Sequence, residues 1–308
     1  MEHSLSIVIP ARNEAAGLDR LLPALRERHP DAELLVVDDG STDATRETAL
    51  RHGAKVISHP YGQGNGAAVK TGARAATGEV LVFLDADGQH DPDDVARLLD
   101  ALEQGHDMAI GARDGRSQAS LLRGIGNRLY NRLASWMVGH RIADLTSGFR
   151  AVRAAKFREF LFLLPNGFSY PTTITMSFCR AGYPLAFVPI RTHTRLGRSH
   201  IQPLRDGLRF SVIIFRVGTL YSPLKLFLPI SALFFLLGLG RYAYTYTHYG
   251  TFTNMSALLM ITSVLIFLIG LISEQITNLV YLQRAGSGLP DSRDAAPDGD
   301  RRENARSD

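Results

Sequence analysis

The chain between residues 5 and 111 alternates between two hydrophobic periodicities. Short runs of β-branched and other apolar residues predict strands, and the apolar residues between these runs recur at helical spacing. The predicted strands are residues 5–10, 33–37, 55–58, 80–84 and 108–111, and the predicted helices lie near residues 14–28, 43–52, 65–76 and 92–103. Strands and helices that alternate in this way favour an α/β fold with a doubly wound, mostly parallel sheet.

Polar residues cluster where three of the predicted strands end. The clusters are residues 10–14, 38–43 and 85–87. Ligands on doubly wound sheets bind beyond the C-terminal ends of the strands, so the clusters predict a binding site at one rim of the sheet. Strands that merely end in polar turns would account for one such cluster, but they account poorly for three.

The third cluster has the composition of a metal site. Asp85 and Asp87 follow an apolar strand, and Gly88 tolerates the backbone angles that would turn both carboxylates toward one cation. Two carboxylates and the amide of Gln89 suit Mg²⁺ or Mn²⁺, which keeps water and diphosphate oxygens as its other ligands. The alternative, in which Asp91 caps the next helix and Asp87 only turns the chain, leaves Asp85 unexplained.

A glycine-rich stretch at residues 62–70 resembles a nucleotide-binding loop only in part. It follows the third predicted strand rather than the first, and it lacks the Gly-Lys-Ser/Thr ending of a P-loop. A helix start near a phosphate group remains compatible with this stretch. A nicotinamide cofactor is not indicated.

Two apolar stretches, residues 224–246 and 256–282, are each long enough to cross a bilayer as a helix. Basic residues precede the first and follow the second, whereas the link between them has no Lys or Arg. The positive-inside rule then places the globular part and the C-terminus in the cytosol. Glu274 fits an interface or helix-pairing residue better than a proton relay.

The segment from residue 111 to residue 221 is strongly basic. A solvated basic face and recognition of phosphate, in a lipid headgroup or at the membrane surface, both fit this composition. Residues 203–221 mix Leu, Val, Ile and Phe with Arg, so they form either a helix at the membrane interface or a plain connecting helix. No recognition helix or aromatic stacking platform is apparent, and nucleic acid is not an expected partner.

Composition adds few constraints. The chain has 308 residues, 45% of them hydrophobic, with a net charge of +4. Its one cysteine, Cys179, excludes an internal disulfide and favours a reducing, cytosolic location for the globular part. The N-terminal residues lead directly into a strand, so no signal peptide is expected. Residues 284–308 are rich in Gly, Pro, Asp and Arg and predict a disordered tail.

Six motifs occur in an order that resembles a known family: residues 10–14, 36–43, 64–70, 85–90, 111–113 and 145–150. Together they resemble family 2 inverting glycosyltransferases of the GT-A fold, in the polyprenyl-phosphate branch typified by dolichol-phosphate mannose synthase. The resemblance covers about residues 4–200. The two apolar stretches also suit bacterial members of this branch. Together with the composition, the resemblance predicts a catalytic domain at residues 1–200, an interfacial helix at 201–222, two transmembrane helices at 223–283 and a tail at 284–308.

The resemblance also implies roles for individual residues. The nucleotide-sugar donor would contact Pro10, Arg12, Glu14, Asp38, Asp39, Lys70, Asp85 and Ala86, with Asp39 near the base. The metal would be held by Asp85, Asp87 and Gln89. The acceptor phosphate would contact Arg113, Arg123, Asn127, Arg128, Arg195, Arg198 and Ser199. The catalytic residues would be Asp87, Asp144 and Arg113, with Asp144 either an orienting or basic group or only the cap of a turn beside Thr146.

Three positions depart from the family pattern. Arg12 stands where Tyr or Phe is commoner, and Asn127 where Ser is frequent. Residues 195–200 are spaced more tightly than the Arg-x-x-Gly-x-Ser-Lys pattern, and His200 replaces its Lys.

The implied reaction is inverting transfer of a hexose from a nucleoside-diphosphate sugar to a polyprenyl or dolichyl monophosphate. GDP-mannose is the favoured donor and UDP-glucose is also compatible. The expected location is the cytosolic face of the cell (inner) membrane, with a multi-pass anchor, and a homo-oligomer is compatible with the sequence. Two alternatives stay open: a catalytically inactive membrane-bound sugar-nucleotide sensor, and a family 2 transferase with a non-lipid acceptor.

Overall fold

The computed structural model describes residues 4–113, 121–167, 169–190, 218–219 and 221–287, and the side chains of 121–129 and 280–287 lie outside the description. The strands are β1 Leu5–Ala11, β2 Glu33–Asp38, β3 Lys55–Ser58, β4 Val80–Phe83, β5 Met108–Arg113, β6 Arg150–Arg153 and β7 Leu185–Ile190. The helices are α1 Ala15–Arg28, α2 Thr45–Arg51, α3 Asn65–Ala75, α4 Asp94–Glu103, α5 Leu121–Val138, α6 Ala154–Arg158, α7 Tyr170–Ala181, α8 Pro223–Tyr249 and α9 Asn254–Ser287.

The described strands form one sheet in the order β3-β2-β1-β4-β6-β5-β7. All neighbours are parallel except β6, which runs antiparallel between β4 and β5. The predicted mostly parallel α/β sheet is therefore confirmed. The sequence analysis did not predict β6 or β7. β6 carries an arginine at each end and lacks the apolar run that marks the other strands, whereas β7 has such a run but lies outside the alternating pattern of residues 5–111.

Helices cover both faces of the sheet. The central strands are buried on both sides, as Ile7, Val8 and Ile9 of β1 show. One core packs α1 and α4 against the sheet, and the other packs α3, α6 and α7 against its opposite face. Near-continuous apolar strands are what a doubly covered parallel sheet requires.

The C-terminal helices α8 and α9 form an apolar hairpin. Both are long and apolar enough to cross a membrane. Apart from Pro223 at the start of α8, their buried residues recur at every seventh position and are small: Ser231, Gly238 and Thr245 on α8, and Ser256, Ser263, Gly270 and Thr277 on α9. Small residues let two helix backbones approach closely, and the large apolar side chains then point outward. Ser231 Oγ also donates to the Ser263 carbonyl at 2.8 Å.

A polar clamp joins the hairpin to the globular domain. Arg180 of α7 donates to Asn278 Oδ1 at 2.6 Å and to Glu274 Oε1 at 3.5 Å, and it also bonds the Tyr221 carbonyl. Glu274 Oε2 accepts from the backbone N–H of Leu224, in the first turn of α8, at 3.3 Å. Glu274 therefore pairs the two helices with the domain, as the sequence predicted.

Most of the predicted interfacial helix at residues 201–222 lies outside the described residues. The predicted tail begins at residue 284, but α9 continues to Ser287, so residues 284–287 are helical. The rest of the predicted tail lies outside the described residues.

Candidate active site

The three polar clusters meet at one rim of the sheet. Residues at the ends of β1 and β2 lie side by side (Ala11 beside Asp38), and β4 pairs with β1 on the other side. The first two clusters are hydrogen-bonded to each other. Asn13 N donates to Ser41 Oγ at 2.9 Å, and Thr42 N donates to Asn13 Oδ1 at 2.8 Å. The predicted meeting of the clusters is confirmed.

The third cluster is held against the start of α1. A Cβ atom at Gly17 would lie 2.0 Å from the Ala86 carbonyl oxygen, so only glycine lets the helix approach this loop so closely. Gly88 has φ +72°, and the N–H of Gln89 donates to Asp87 Oδ1 at 3.1 Å. The chain thus turns sharply just after Asp87, as predicted.

The turn offers oxygen ligands suited to a hard divalent cation. Asp85, Asp87 and Gln89 are all partly exposed, whereas Ala86 between the two carboxylates is buried. Among the described residues, no group of three or more His, Cys, Asp or Glu side chains is placed to hold a metal ion. The donor set of two carboxylates and one amide fits Mg²⁺ or Mn²⁺ only if water or diphosphate oxygens complete the coordination.

The carboxylates of Asp38 and Asp39 accept hydrogen bonds from loops at the rim. Asp38 Oδ1 accepts from Ser41 N at 2.9 Å. Asp39 accepts from the N–H groups of Gln63 and Gly64 at 2.7 and 2.8 Å, and its Oδ1 lies 2.8 Å from His59 Nδ1. Burial alone would raise the pKa of Asp39, but these hydrogen bonds hold it below its usual value. Asp39 thereby fixes the glycine-rich loop beside β2, and its contact with a base stays a prediction.

Close packing accounts for two glycines of the residue 62–70 stretch. A Cβ at Gly64 would lie 2.4 Å from the Asn166 carbonyl oxygen, and one at Gly66 would lie 2.1 Å from that of Pro165. Lys70 Nζ donates to the carbonyl of Leu164 at 3.0 Å and to Asn166 Oδ1 at 2.5 Å. Partial burial lowers the pKa of Lys70, and the nearby positive charge of Arg74 lowers it further to a smaller extent.

The remaining predicted donor residues lie at the ends of β1 and α1. Pro10 is in β1 beside Val37, and Glu14 precedes α1, where its N–H donates to Thr45 Oγ1 at 3.0 Å. Arg12 is exposed and lies over Gly62, since a Cβ at that glycine would be 2.5 Å from Arg12 Nη1.

Arg113 and Asp144 form a two-point ion pair at the end of β5. Arg113 Nε and Nη2 donate to the two Asp144 oxygens at 2.8 and 3.1 Å, and Nη2 also donates to Thr146 Oγ1 at 2.5 Å. The Thr146 N–H donates to Asp144 Oδ1 at 3.0 Å, which is the predicted turn cap. Burial would raise the pKa of Asp144, but the hydrogen bonds and charge of Arg113 outweigh burial and lower it.

Two buried groups that interact electrostatically with Asp85 were not assigned a role from the sequence. His90 stacks on Phe149 with ring centroids 4.9 Å apart, and its Nε2 lies 3.9 Å from Asp85 Oδ2, too far for a hydrogen bond. Burial lowers the pKa of His90 to about 4, so this imidazole is neutral at physiological pH. A Cβ at Gly148 would lie 3.0 Å from Asp85 Oδ2, so glycine leaves room beside that carboxylate.

Arg150 is the second of these groups. It is fully buried and donates to the Pro171 carbonyl and to Thr175 Oγ1, each at 3.3 Å, and to the Ser147 carbonyl. Burial lowers its pKa, and electrostatic interactions with Tyr170, Asp144 and Asp85 act against this shift. His90 and Arg150 are the last residues of two recognised motifs, and that position was the available sequence signal.

Several predicted acceptor residues are only partly covered by the structure. Arg123, Asn127 and Arg128 lie on α5, but their side chains are outside the description. Arg195, Arg198, Ser199 and His200 lie outside the described residues.

Comparison with known proteins identifies this arrangement. Residues 6–161 match the family model "Glycosyl transferase family 2", and residues 222–279 match "GtrB C-terminal hairpin". The chain belongs to glycosyl transferase family 2, and it is a glycosyltransferase with a C-terminal hairpin. The predicted family, enzyme class and fold are therefore confirmed.

The similar proteins share most of their length with this chain. Glycosyltransferase AglJ of Haloferax volcanii is 31% identical over 78% of this chain and 80% of its own. A dolichyl-phosphate hexose transferase of the same organism is 29% identical over 69% and 93%. Glucosyl-3-phosphoglycerate synthase from Mycobacterium tuberculosis, solved with Mn²⁺, UDP and glucosyl-3-phosphoglycerate, has a TM-score of 0.57 at 23% identity, over 70% of this chain and 78% of its own.

Proposed function

We propose that this glycosyltransferase moves a hexose from a nucleoside-diphosphate sugar to a polyprenyl monophosphate at the cytosolic face of the cell (inner) membrane. The observation that carries the proposal is that one chain combines a candidate metal site with an apolar hairpin. An Asp85–Asp87 turn lies at the sheet rim, and an apolar hairpin is clamped to the same domain through Arg180. A water-soluble diphosphate donor and a lipid acceptor require this combination. The similar dolichyl-phosphate hexose transferase supports a lipid-phosphate acceptor.

The donor would bind at the rim formed by β1, β2 and β4. Asp85, Asp87 and Gln89 would hold Mg²⁺ or Mn²⁺ against its diphosphate, and structures of this fold have been solved with either ion. When bound, such an ion supplies Lewis-acid stabilisation of the leaving diphosphate. GDP-mannose is the favoured donor through the likeness to dolichol-phosphate mannose synthase, and UDP-glucose is the second choice.

The acceptor needs orientation more than activation. A lipid monophosphate is already ionised near neutral pH, so one of its oxygens can attack C1 of the sugar. The bond from C1 to the diphosphate oxygen breaks as the new bond forms, and the electron pair leaves with the nucleoside diphosphate. Attack in line with the leaving group inverts C1 and gives a β-linked product from an α-linked donor.

Arg113 would bring the two anions together. Its guanidinium is held at two points by Asp144, so one orientation is selected before substrate binds. The lowered pKa makes Asp144 a weak base, which supports the orienting role over the basic one. Arg123, Asn127 and Arg128 on α5, with Arg195, Arg198 and Ser199, would complete the phosphate site.

Transfer to lipid tests the proposal directly. The full chain in detergent is given radiolabelled GDP-mannose, UDP-glucose or UDP-N-acetylglucosamine with undecaprenyl or dolichyl phosphate, in Mg²⁺ or in EDTA. We expect label in the lipid phase from one donor, with Mg²⁺ only. The Asp87→Asn variant should lose at least about 100-fold of this activity because a metal ligand is lost. Asp100→Asn, a matched change at an exposed position on α4, should keep it.

Two other outcomes would contradict the proposal. Nucleotide binding without lipid label from any donor would favour the inactive sensor. Label transferred to a water-soluble acceptor, but not to lipid, would favour a family 2 transferase with another acceptor.

A further inference from the structure

The C-terminal end of α5 is attached to the start of the hairpin. Lys225, in the first turn of α8, donates from Nζ to the Met137 carbonyl at 2.8 Å and to the Trp136 carbonyl at 3.5 Å. Ser222 Oγ donates to the same Met137 carbonyl at 3.3 Å. Met137 and Tyr221 also belong to one buried apolar cluster. The end of α5 therefore lies at the level where the hairpin begins.

The outer face of α5 at this level carries an exposed aromatic residue. Trp136 is the only tryptophan of the chain, and it is 51% exposed although its neighbour Met137 is buried. Arg132, one helical turn earlier, is exposed on the same face. His140 and Arg141, just beyond the helix, are exposed as well. We call Arg132, Trp136, Arg141 and Lys225 the Trp136 surface.

The chemistry of the Trp136 surface matches the headgroup layer of a bilayer. Tryptophan is enriched at membrane–water interfaces because its ring is largely apolar while its N–H seeks a polar partner. Basic residues beside such a ring are attracted to the anionic lipids of the cytoplasmic leaflet. The surface is also continuous with the first turn of α8, which enters the membrane if the hairpin spans it.

We infer that the Trp136 surface binds the headgroups of anionic phospholipids in the bilayer that the hairpin crosses. The inference rests on the proposed membrane span of the hairpin. It makes α5 a spacer of fixed length. The helix rises about 1.5 Å per residue, so residues 123–128 lie roughly 12–20 Å along the axis from Trp136. The predicted phosphate-binding positions on α5 would then be held at a set distance from the membrane surface.

The single tryptophan makes the inference directly measurable. The full chain is reconstituted into vesicles of phosphatidylcholine, alone or mixed with phosphatidylglycerol, in which the lipid chains are brominated near the headgroup or near the methyl end. We expect bromine near the headgroup to remove most of the Trp136 emission and bromine near the methyl end to remove little. Phosphatidylglycerol should increase the quenching. Arg132→Gln combined with Arg141→Gln should abolish that increase while Trp136 emission itself remains.

A matched control moves the probe to a distant site of equal exposure. Leu50 is 49% exposed on α2, which packs against β3 at the sheet edge opposite β7. Leu50→Trp in a Trp136→Phe background should be quenched by iodide in the water and not by brominated lipid.

Two results would overturn the inference. Trp136 emission that iodide quenches and brominated lipid does not would place the residue in water. Emission that neither agent quenches would indicate a protein contact, for example with a second copy of the chain. Vesicle flotation distinguishes both results from a hairpin that does not span the membrane. A chain that fails to float with lipid would contradict the proposed membrane span itself.

Discussion

Arg113 and Asp144 hold each other in one orientation, and Thr146 is hydrogen-bonded to both. A carboxylate that is buried, paired and shifted to lower pKa has little tendency to accept a proton. We therefore expect its contribution to be the orientation of the Arg113 guanidinium. At the scale of single residues, the ion pair with Arg113 therefore favours an orienting role for Asp144 over a role as a base.

A double-mutant cycle tests whether Asp144 orients Arg113 or acts as a base. Asp144→Asn and Arg113→Lys each break the two-point pair, so each should reduce lipid transfer by about 10- to 100-fold and raise the apparent KM for the acceptor. The double variant should be little worse than either single variant, because both remove the same interaction. If Asp144 were the base, Asp144→Asn alone would abolish kcat while Arg113→Lys left it largely intact.

The charges around Asp85 also belong to this scale. Arg150 is a buried cation whose charge interacts with Asp85, whereas His90 is buried and neutral, with its Nε2 3.9 Å from Asp85 Oδ2. Neither role was visible in the sequence, since an arginine or histidine in a motif does not reveal whether it faces the site or supports it.

At the scale of elements, the sheet depends on contacts that connect the starts of neighbouring strands, at the edge opposite the rim. Glu33 at the start of β2 accepts from Ser6 of β1 at 2.5 Å and from Lys55 of β3 at 2.7 Å. It also accepts from the N–H and hydroxyl of Thr77, before β4, at 2.8 and 2.9 Å. One carboxylate thus ties together the starts of four strands.

Glu33 predicts a defined dependence of stability on pH. Burial would raise the pKa of Glu33, but the hydrogen bonds from Lys55, Ser6 and Thr77 lower it from 4.5 to about 2. A carboxyl with a depressed folded pKa stabilises the fold above its unfolded pKa and loses this contribution as pH falls through the folded value. Its stabilisation is therefore complete above pH 4.5 and declines toward pH 2.

Glu33→Gln should lower the free energy of unfolding by about 1–3 kcal/mol at neutral pH. The difference from the unmodified chain should shrink as the pH approaches 2, because protonation removes the same charge. Thermal unfolding followed by circular dichroism across this range measures the effect. Glu103→Gln, at an exposed position on α4, is the control and should change little. A deficit that is constant with pH would contradict the account.

At the scale of the whole molecule, the Arg180 clamp connects the sugar-transfer domain to the hairpin. Arg180 is the group that contacts Tyr221, Glu274 and Asn278 together. These contacts set how the active-site rim sits relative to the helices that are proposed to cross the membrane. We therefore expect the alignment of the rim with a lipid acceptor to depend on these contacts, together with the bonds of Lys225 to the end of α5.

Arg180→Met should separate donor binding from lipid transfer. The sheet core does not depend on this side chain, so nucleotide binding by calorimetry should remain within about twofold, whereas transfer to polyprenyl phosphate should fall roughly 10-fold or more through misalignment. Arg46→Met, at an exposed position on α2, should change neither. An equal loss of nucleotide binding and of lipid transfer would indicate general unfolding rather than loss of alignment.

The sequence by itself determined the elements whose signal is local. Apolar runs predicted β1 to β5, and the order of the clusters at their ends predicted the rim where residues 10–14, 38–43 and 85–87 meet. The two apolar stretches predicted α8 and α9 because length and composition suffice for that inference. The turn at Gly88 was also predicted, because glycine tolerates a positive φ, here +72°, whatever its distant neighbours are.

Only the tertiary structure decided what depends on distant partners. The antiparallel strand β6 is held in place by pairing with β4 and β5 on both sides, and its own residues carry little strand signal. The pairing of Arg113 with Asp144, the neutral state of buried His90 and the Arg180 clamp each join residues far apart in the chain. Their strength comes from burial and geometry, which a linear pattern of polar and apolar residues does not contain.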